Sequence, residues 1–220
     1  MIINEKIWES NIKRSGDLVV CIPFTEKFVI KILEDKHIKS IKNFISFYRT
    51  QSIFIRSILP RPIALIKKNK NYFYLEEKVL GKRYTPTFET FPIICKIITN
   101  VLTKFTKNKN GSGFVHNDLI YGNIIISKSF PHKIKIIDWN LFGRGYPLID
   151  LLHFCESCFL FLKPNMKYKN RFFEIVLANI ELYKRKTGLE ETKIKSIIFK
   201  VLENKKSLTP FYKFFKKEFN

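Results

Sequence analysis

Four polar side chains stand among apolar runs in the middle of this 220-residue chain: His116, Asp118, Asn123 and Asp138. His116, Asp118 and Asn123 precede Ile124-Ile125-Ile126, and Asp138 closes the run Ile134 to Ile137. The pattern predicts a strand, a turn and a second strand, with Asn123 and Asp138 brought to one end of a small hairpin. An amide oxygen and a carboxylate suit a hard cation such as magnesium, which takes one or two carboxylates and fills the rest of its shell with waters and substrate phosphates. Asp118 lies on the entering loop, where a carboxylate can accept the proton of an attacking hydroxyl. Positioning and charge neutralisation are most of what phosphoryl transfer asks of a protein.

Elements of the right kind flank this stretch. Leu18 to Ile22 and Phe28 to Leu33 predict two strands of a hairpin around a turn at Pro23 to Lys27. Ile38, Ile41, Phe44, Ile45, Tyr48, Ser52 and Ile55 recur at helical spacing and predict one amphipathic helix from Asp35 to about Leu59. Pro60-Arg61-Pro62 ends it, because proline disfavours helical geometry in the residue before it. Ile63 to Ile66 and Tyr72 to Lys78 read as strands around a charged turn. Helical stripes follow at Phe88 to Phe105, from Pro147, at Phe172 to Tyr183 and at Ile194 to Leu202.

The order His116-Asn117-Asp118, then Asn123, fits the kinase pattern H-x-D-x-x-x-x-N, and Asp138-Trp139 stands where Asp-Phe-Gly would. In this form the chain resembles the aminoglycoside phosphotransferase and choline kinase-like family. The resemblance implies an α+β, two-lobed protein-kinase-like fold, with a small antiparallel-sheet lobe over residues 1–80 and a mostly helical lobe over 81–220. It implies ATP and Mg2+ as cofactors. Lys31, central in the second strand, would pair with nucleotide phosphates. Glu77 and Val79, in the hinge-like segment Leu75 to Gly81, would bind the nucleotide. Asn123 and Asp138 would hold the metal, Asp118 would be the catalytic base, His116 would brace its loop, and Asp150 would support that loop through hydrogen bonds.

Two departures from the family pattern stand out. The phosphate-covering glycine loop is reduced to Ser15-Gly16. The helix glutamate that should hold the strand lysine is missing, since no Asp or Glu occurs from Lys36 to Leu75. Gln51, and after it Asn43, are the polar substitutes this helix offers. These departures support a second reading, a catalytically impaired pseudokinase that binds nucleotide or a partner protein.

Lys and Arg number 40 against 19 acids, a net charge of +21. Such a field attracts anions, and a coding bias toward Lys, Ile, Asn and Phe produces it equally well. No dense arginine cluster or nucleic-acid motif accompanies it, which argues against a nucleic-acid partner. The expected acceptor is a hydroxyl on a small molecule, because Trp139 to Gly145 is too short for a peptide-binding activation segment. A choline-like amino alcohol, a sugar and a lipopolysaccharide-core sugar all remain open. The tail Pro210 to Asn220 mixes Phe with Lys and offers either a peripheral membrane contact or a helix docked on the core. Cys155 and Cys158 are spaced to share a buried helix face. Reduced thiols and a polar start after Met1-Ile2-Ile3 lead to the expectation of a cytoplasmic protein.

Overall fold

The computed structural model describes residues 21–25, 27–127, 134–204 and 208–219. Ser15-Gly16 and Leu18 to Val20 lie outside the described residues. The chain forms two compact units: the described residues up to Lys82 with Ile125–Leu141, and Arg83–Ile124 with Phe142 onward.

The first unit is built on an antiparallel sheet of β1 (Cys21–Thr25), β2 (Phe28–Leu33), β3 (Pro62–Lys68) and β4 (Asn71–Glu77), in the order β1-β2-β4-β3. Side chains alternate across a strand. Phe28, Ile30 and Ile32 accordingly meet Ala64, Phe73 and Leu75 on one face, while Lys31 projects from the other. Strand β1 runs on through Pro23 to Thr25, beyond the turn expected there, with a register break between Pro23 and Thr25. An edge strand tolerates a proline because the missing N–H would have faced outward.

The single helix expected from Asp35 to Leu59 is two: α1 (Asp35–Thr50) and α2 (Ile53–Ile58). Side-chain bonds to the backbone compete with helix continuation at the break. Thr50 Oγ1 and Gln51 Nε2 both donate to the Phe47 carbonyl, and Ser52 Oγ accepts the Ile55 amide as the cap of α2. Helix α1 buries His37, Ile41, Phe44 and Phe47, one stripe at three- and four-residue spacing. A second small sheet joins β5 (Lys82–Arg83), β7 (Ile124–Ile126) and β8 (Ile134–Ile136) in the order β5-β7-β8. Gly81 has φ 156°, and a Cβ there would collide with the Ile126 carbonyl.

The second unit is mostly helical: α3 (Phe91–Phe105), α4 (Pro147–Leu162), α5 (Met166–Thr187), α6 (Glu191–Glu203) and α7 (Pro210–Phe219). The strands β6 (Gly113–Val115) and β9 (Gly143–Gly145) pair antiparallel. Helix α3 buries Phe91, Ile94, Cys95, Ile98, Val101, Leu102 and Phe105, the stripe seen in the sequence. Cys95 and Cys155 meet Sγ to Sγ at 3.7 Å inside the core, and burial pushes the Cys155 thiol well above its ordinary value. The tail is helix α7, with Phe211, Tyr212 and Phe215 buried and Phe214 stacked on Phe173. Its apolar face is thus used inside this unit, and Lys213, Lys216 and Lys217 are left exposed. Among the described residues, no helix is long and apolar enough to cross a membrane.

Candidate active site

In the first unit the chemistry gathers around Lys31. In the β2–β4 register Lys31 lies opposite Tyr74, so Glu76, two residues on, is its diagonal neighbour on the same face. Lys31 Nζ stands 2.8 Å from Glu76 Oε1, with both side chains almost fully buried. The same ammonium lies 3.5 Å from Asp138 Oδ1. The carboxylate partner of Lys31 therefore comes from β4. Gln51 is occupied at the end of α1 by Phe47 and Thr50, and Asn43 is exposed. Burial and the neighbouring Glu76 carboxylate push the Tyr74 phenol well above its ordinary value.

Asp138 is held out from the chain by its surroundings. Its φ of 67° is left-handed, a conformation in which Asn and Asp are enriched. The next residue is an anchor: buried Trp139 donates Nε1–H to the Ile136 carbonyl at 2.7 Å and stacks on Phe44 of α1 at 5.2 Å. Asn140 donates Nδ2–H to Asp138 Oδ1 at 2.6 Å. The carboxylate is 43% exposed, so it remains open to solvent and to a cation.

Glu77 takes a different place from Glu76. Its amide donates to the Arg61 carbonyl, its carboxylate accepts the Arg61 amide, and Lys135 Nζ lies 3.5 Å from it. The Lys78 amide donates to the Lys27 carbonyl. Val79, the other hinge residue named from sequence, follows directly and is half-buried.

In the second unit, His116, Asp118, Asn123 and Asp150 come together. The Asp150 carboxylate accepts the His116 amide at 2.6 Å and the Asn117 amide at 3.0 Å. Asn117 is left-handed at φ 66°, which turns the chain sharply between His116 and Asp118. His116 is fully buried, and its Nδ1 accepts the Asp118 amide at 3.2 Å, so the ring pins the loop from inside. Asn123 ends the 3-10 turn Tyr121–Asn123 and reaches back through Nδ2 to the Asp118 carbonyl at 2.8 Å and to Asp118 Oδ2 at 3.1 Å. With its NH2 group committed there, Asn123 presents an amide oxygen as its remaining donor to a cation.

Asp150 is fully buried, and that burial pushes its carboxyl up to about 7. The two amide donors oppose the shift, and nearby Asp118 adds to it. Ser157 on α4 accepts the Tyr121 amide at 3.0 Å and fixes the far end of the loop.

Glu76 is the residue that sequence reasoning missed. Its signal was an acid directly after the apolar run Tyr72 to Leu75, at the strand parity of Tyr74 and so on the face of Lys31.

Residues 63–168 match the phosphotransferase enzyme family. No curated protein matches the chain in sequence. Among solved structures, the fold is similar to the GDP complex of wild-type aminoglycoside 2'-phosphotransferase-IIIa, at 11% identity over 98% of this chain and 94% of that one, with a TM-score of 0.59. It is also similar to an amicoumacin kinase in complex with AMP-PNP and Ca2+, at 12% identity over 98% and 90%, with a TM-score of 0.57. A third similar structure is an aminoglycoside phosphotransferase from Streptomyces rimosus, at 11% identity over 84% and 88%, with a TM-score of 0.58.

Proposed function

We propose, for a chain whose residues 63–168 match the phosphotransferase enzyme family, that it moves the γ-phosphoryl group of ATP to a hydroxyl of a small molecule. The observation that carries this reading is the hold of Asn123 on Asp118, at the Asp118 carbonyl and at Oδ2. A carboxylate steered by a neighbouring amide group, whose oxygen is not used in those bonds, suits a base beside a cation. Similar structures containing AMP-PNP or GDP support a nucleoside phosphate donor.

Under this reading Asp118 orients the acceptor hydroxyl and accepts its proton as the acceptor oxygen bonds to the γ-phosphorus. The bond from that phosphorus to the β–γ bridging oxygen breaks, and ADP leaves with its electron pair. Lys31 pairs with donor phosphates, and the hinge backbone at Glu77 and Val79 takes the purine edge. His116 and Asp150 keep the loop rigid and do no chemistry themselves. Asp138 offers an open carboxylate and Asn123 an amide oxygen, each a donor type that a hard divalent cation such as Mg2+ takes. Such an ion, when bound, would neutralise charge on the transferring group, an effect of several kcal/mol where water is excluded.

A small acceptor is favoured by the chain after Asp138, which passes through one 3-10 turn and the three-residue β9 straight into α4. Solved relatives of this fold act on aminoglycosides, amicoumacin and aminopropanol by their names. The net charge of +21 makes an anionic acceptor, such as a phosphorylated or acidic sugar, the best first choice here. The test is labelled ATP with a panel of amino alcohols, neutral sugars, acidic sugars and aminoglycosides, run with and without Mg2+. Label transfer to one class that Asp118→Asn abolishes is the expected result. Nucleotide binding with no transfer to any acceptor, and none to water, would favour the pseudokinase reading instead.

A further inference from the structure

We propose that Glu76 is the positioning residue for Lys31, a strand carboxylate replacing the helix carboxylate that this chain lacks, and that it keeps the lysine from closing onto Asp138. The proposal rests on the functional reading above.

Three observations carry it. The first is an exclusion along α1. Its single acid, Asp35, is its first residue, and the stripe it buries is His37, Ile41, Phe44 and Phe47. The second is the sheet. Lys31 and Glu76 are diagonal neighbours on adjacent central strands, so their backbones are locked by the β2–β4 ladder and the pair needs no moving helix to form it. The third is the contrast between the two carboxylates facing the ammonium. Glu76 is at 2.8 Å with 6% of its side chain exposed, while Asp138 is at 3.5 Å with 43% exposed. A buried ion pair loses much when one partner is removed, because the remaining charge is left uncompensated. The lysine is therefore committed to Glu76 and only leans toward Asp138.

The consequence is specific. With Glu76 neutral, the Lys31 ammonium turns to the nearer remaining carboxylate, Asp138. It then competes there with a divalent cation. Glu76 would thus act at one remove on two events: it presents Lys31 to phosphate, and it leaves Asp138 available to metal. A purely structural Glu76 would change melting temperature without changing the metal requirement.

The experiment is calorimetric titration of the full chain with AMP-PNP at stepped Mg2+ concentrations. The proteins are the parent, Glu76→Gln, Lys31→Met and the double variant, each checked for a cooperative melt. Glu76→Gln should weaken AMP-PNP binding about tenfold or more and should raise the Mg2+ concentration for half-maximal binding. In the Lys31→Met background the same change should have little further effect on affinity. Glu76→Asp should restore part of the loss. Parent-like affinity and Mg2+ dependence in a folded Glu76→Gln would overturn the proposal, as would additive losses in the double variant. A parent that binds no AMP-PNP would overturn the functional reading and this inference with it.

Discussion

Asn123 bonds to Asp118 twice, through one Nδ2 group, at the main-chain carbonyl and at the carboxylate. The two bonds fix both the loop and the rotamer of its acid. Asn123→Ala removes them and the amide oxygen together. Transfer should fall at least about a hundredfold, since misplacing a reacting group by an ångström has costs of that order. The melting temperature should move by only a few degrees. Steady-state kinetics beside a thermal melt make the check, and parent-like turnover would remove Asn123 from the machinery.

Asp138 supplies charge from a left-handed backbone position. Asn tolerates that conformation, so Asp138→Asn isolates the charge from the geometry. Transfer should be abolished with the fold intact, as read by far-UV circular dichroism and turnover. Turnover near the parent rate would refute the assignment of Asp138 as a metal ligand.

Gly81 has no room for a side chain. A Cβ there would strike the Ile126 carbonyl and crowd Ile125, at a φ that other residues rarely adopt. Gly81→Ala should destabilise the protein by about 1–3 kcal/mol, measured by urea denaturation. An unchanged midpoint would show that Gly81 and the Ile126 carbonyl do not approach closely.

Asp150 makes stability depend on pH. Its folded carboxyl titrates near 7, against an ordinary 3.8. Between those values the folded state binds the extra proton, so this group's contribution is fully present below about pH 4 and is lost as pH rises through about 7. The sign follows from linkage, because stability falls with pH wherever the folded state holds more protons. In Asp150→Asn the slope of unfolding free energy against pH should change by up to about 1.4 kcal/mol per pH unit within that window. Denaturant titrations at pH 5, 6 and 7 test this, and identical slopes would place Asp150 among ordinary carboxylates.

The parts of the site that follow one another along the chain were legible in the sequence. His116, Asp118 and Asn123 sit within eight residues, and their bonding is local, so their spacing carried the geometry. Lys31 was legible for a similar reason, as a polar residue at the centre of an apolar strand. Glu76 was not, because its role depends on strand register: β2 pairs with β4, placing residues 45 positions apart in sequence on one face. Helical spacing along α1 carries no information about an acid on β4. The break between α1 and α2 was hidden for a different reason. The apolar period runs on through Ser52 and Ile55, and the interruption comes from side-chain bonds at Thr50, Gln51 and Ser52.

Trp139 is bonded to Ile136, stacked on Phe44 and adjacent in sequence to the carboxylate proposed to take the metal. The chain contains two tryptophans, Trp8 and Trp139. With Trp8 replaced by Phe, the protein has a single emitter at that position. Titrating Mg2+ or nucleotide should then change the indole's emission directly, with no label and no acceptor required. The residue that stiffens the turn can therefore also report, in real time, on what reaches the neighbouring aspartate.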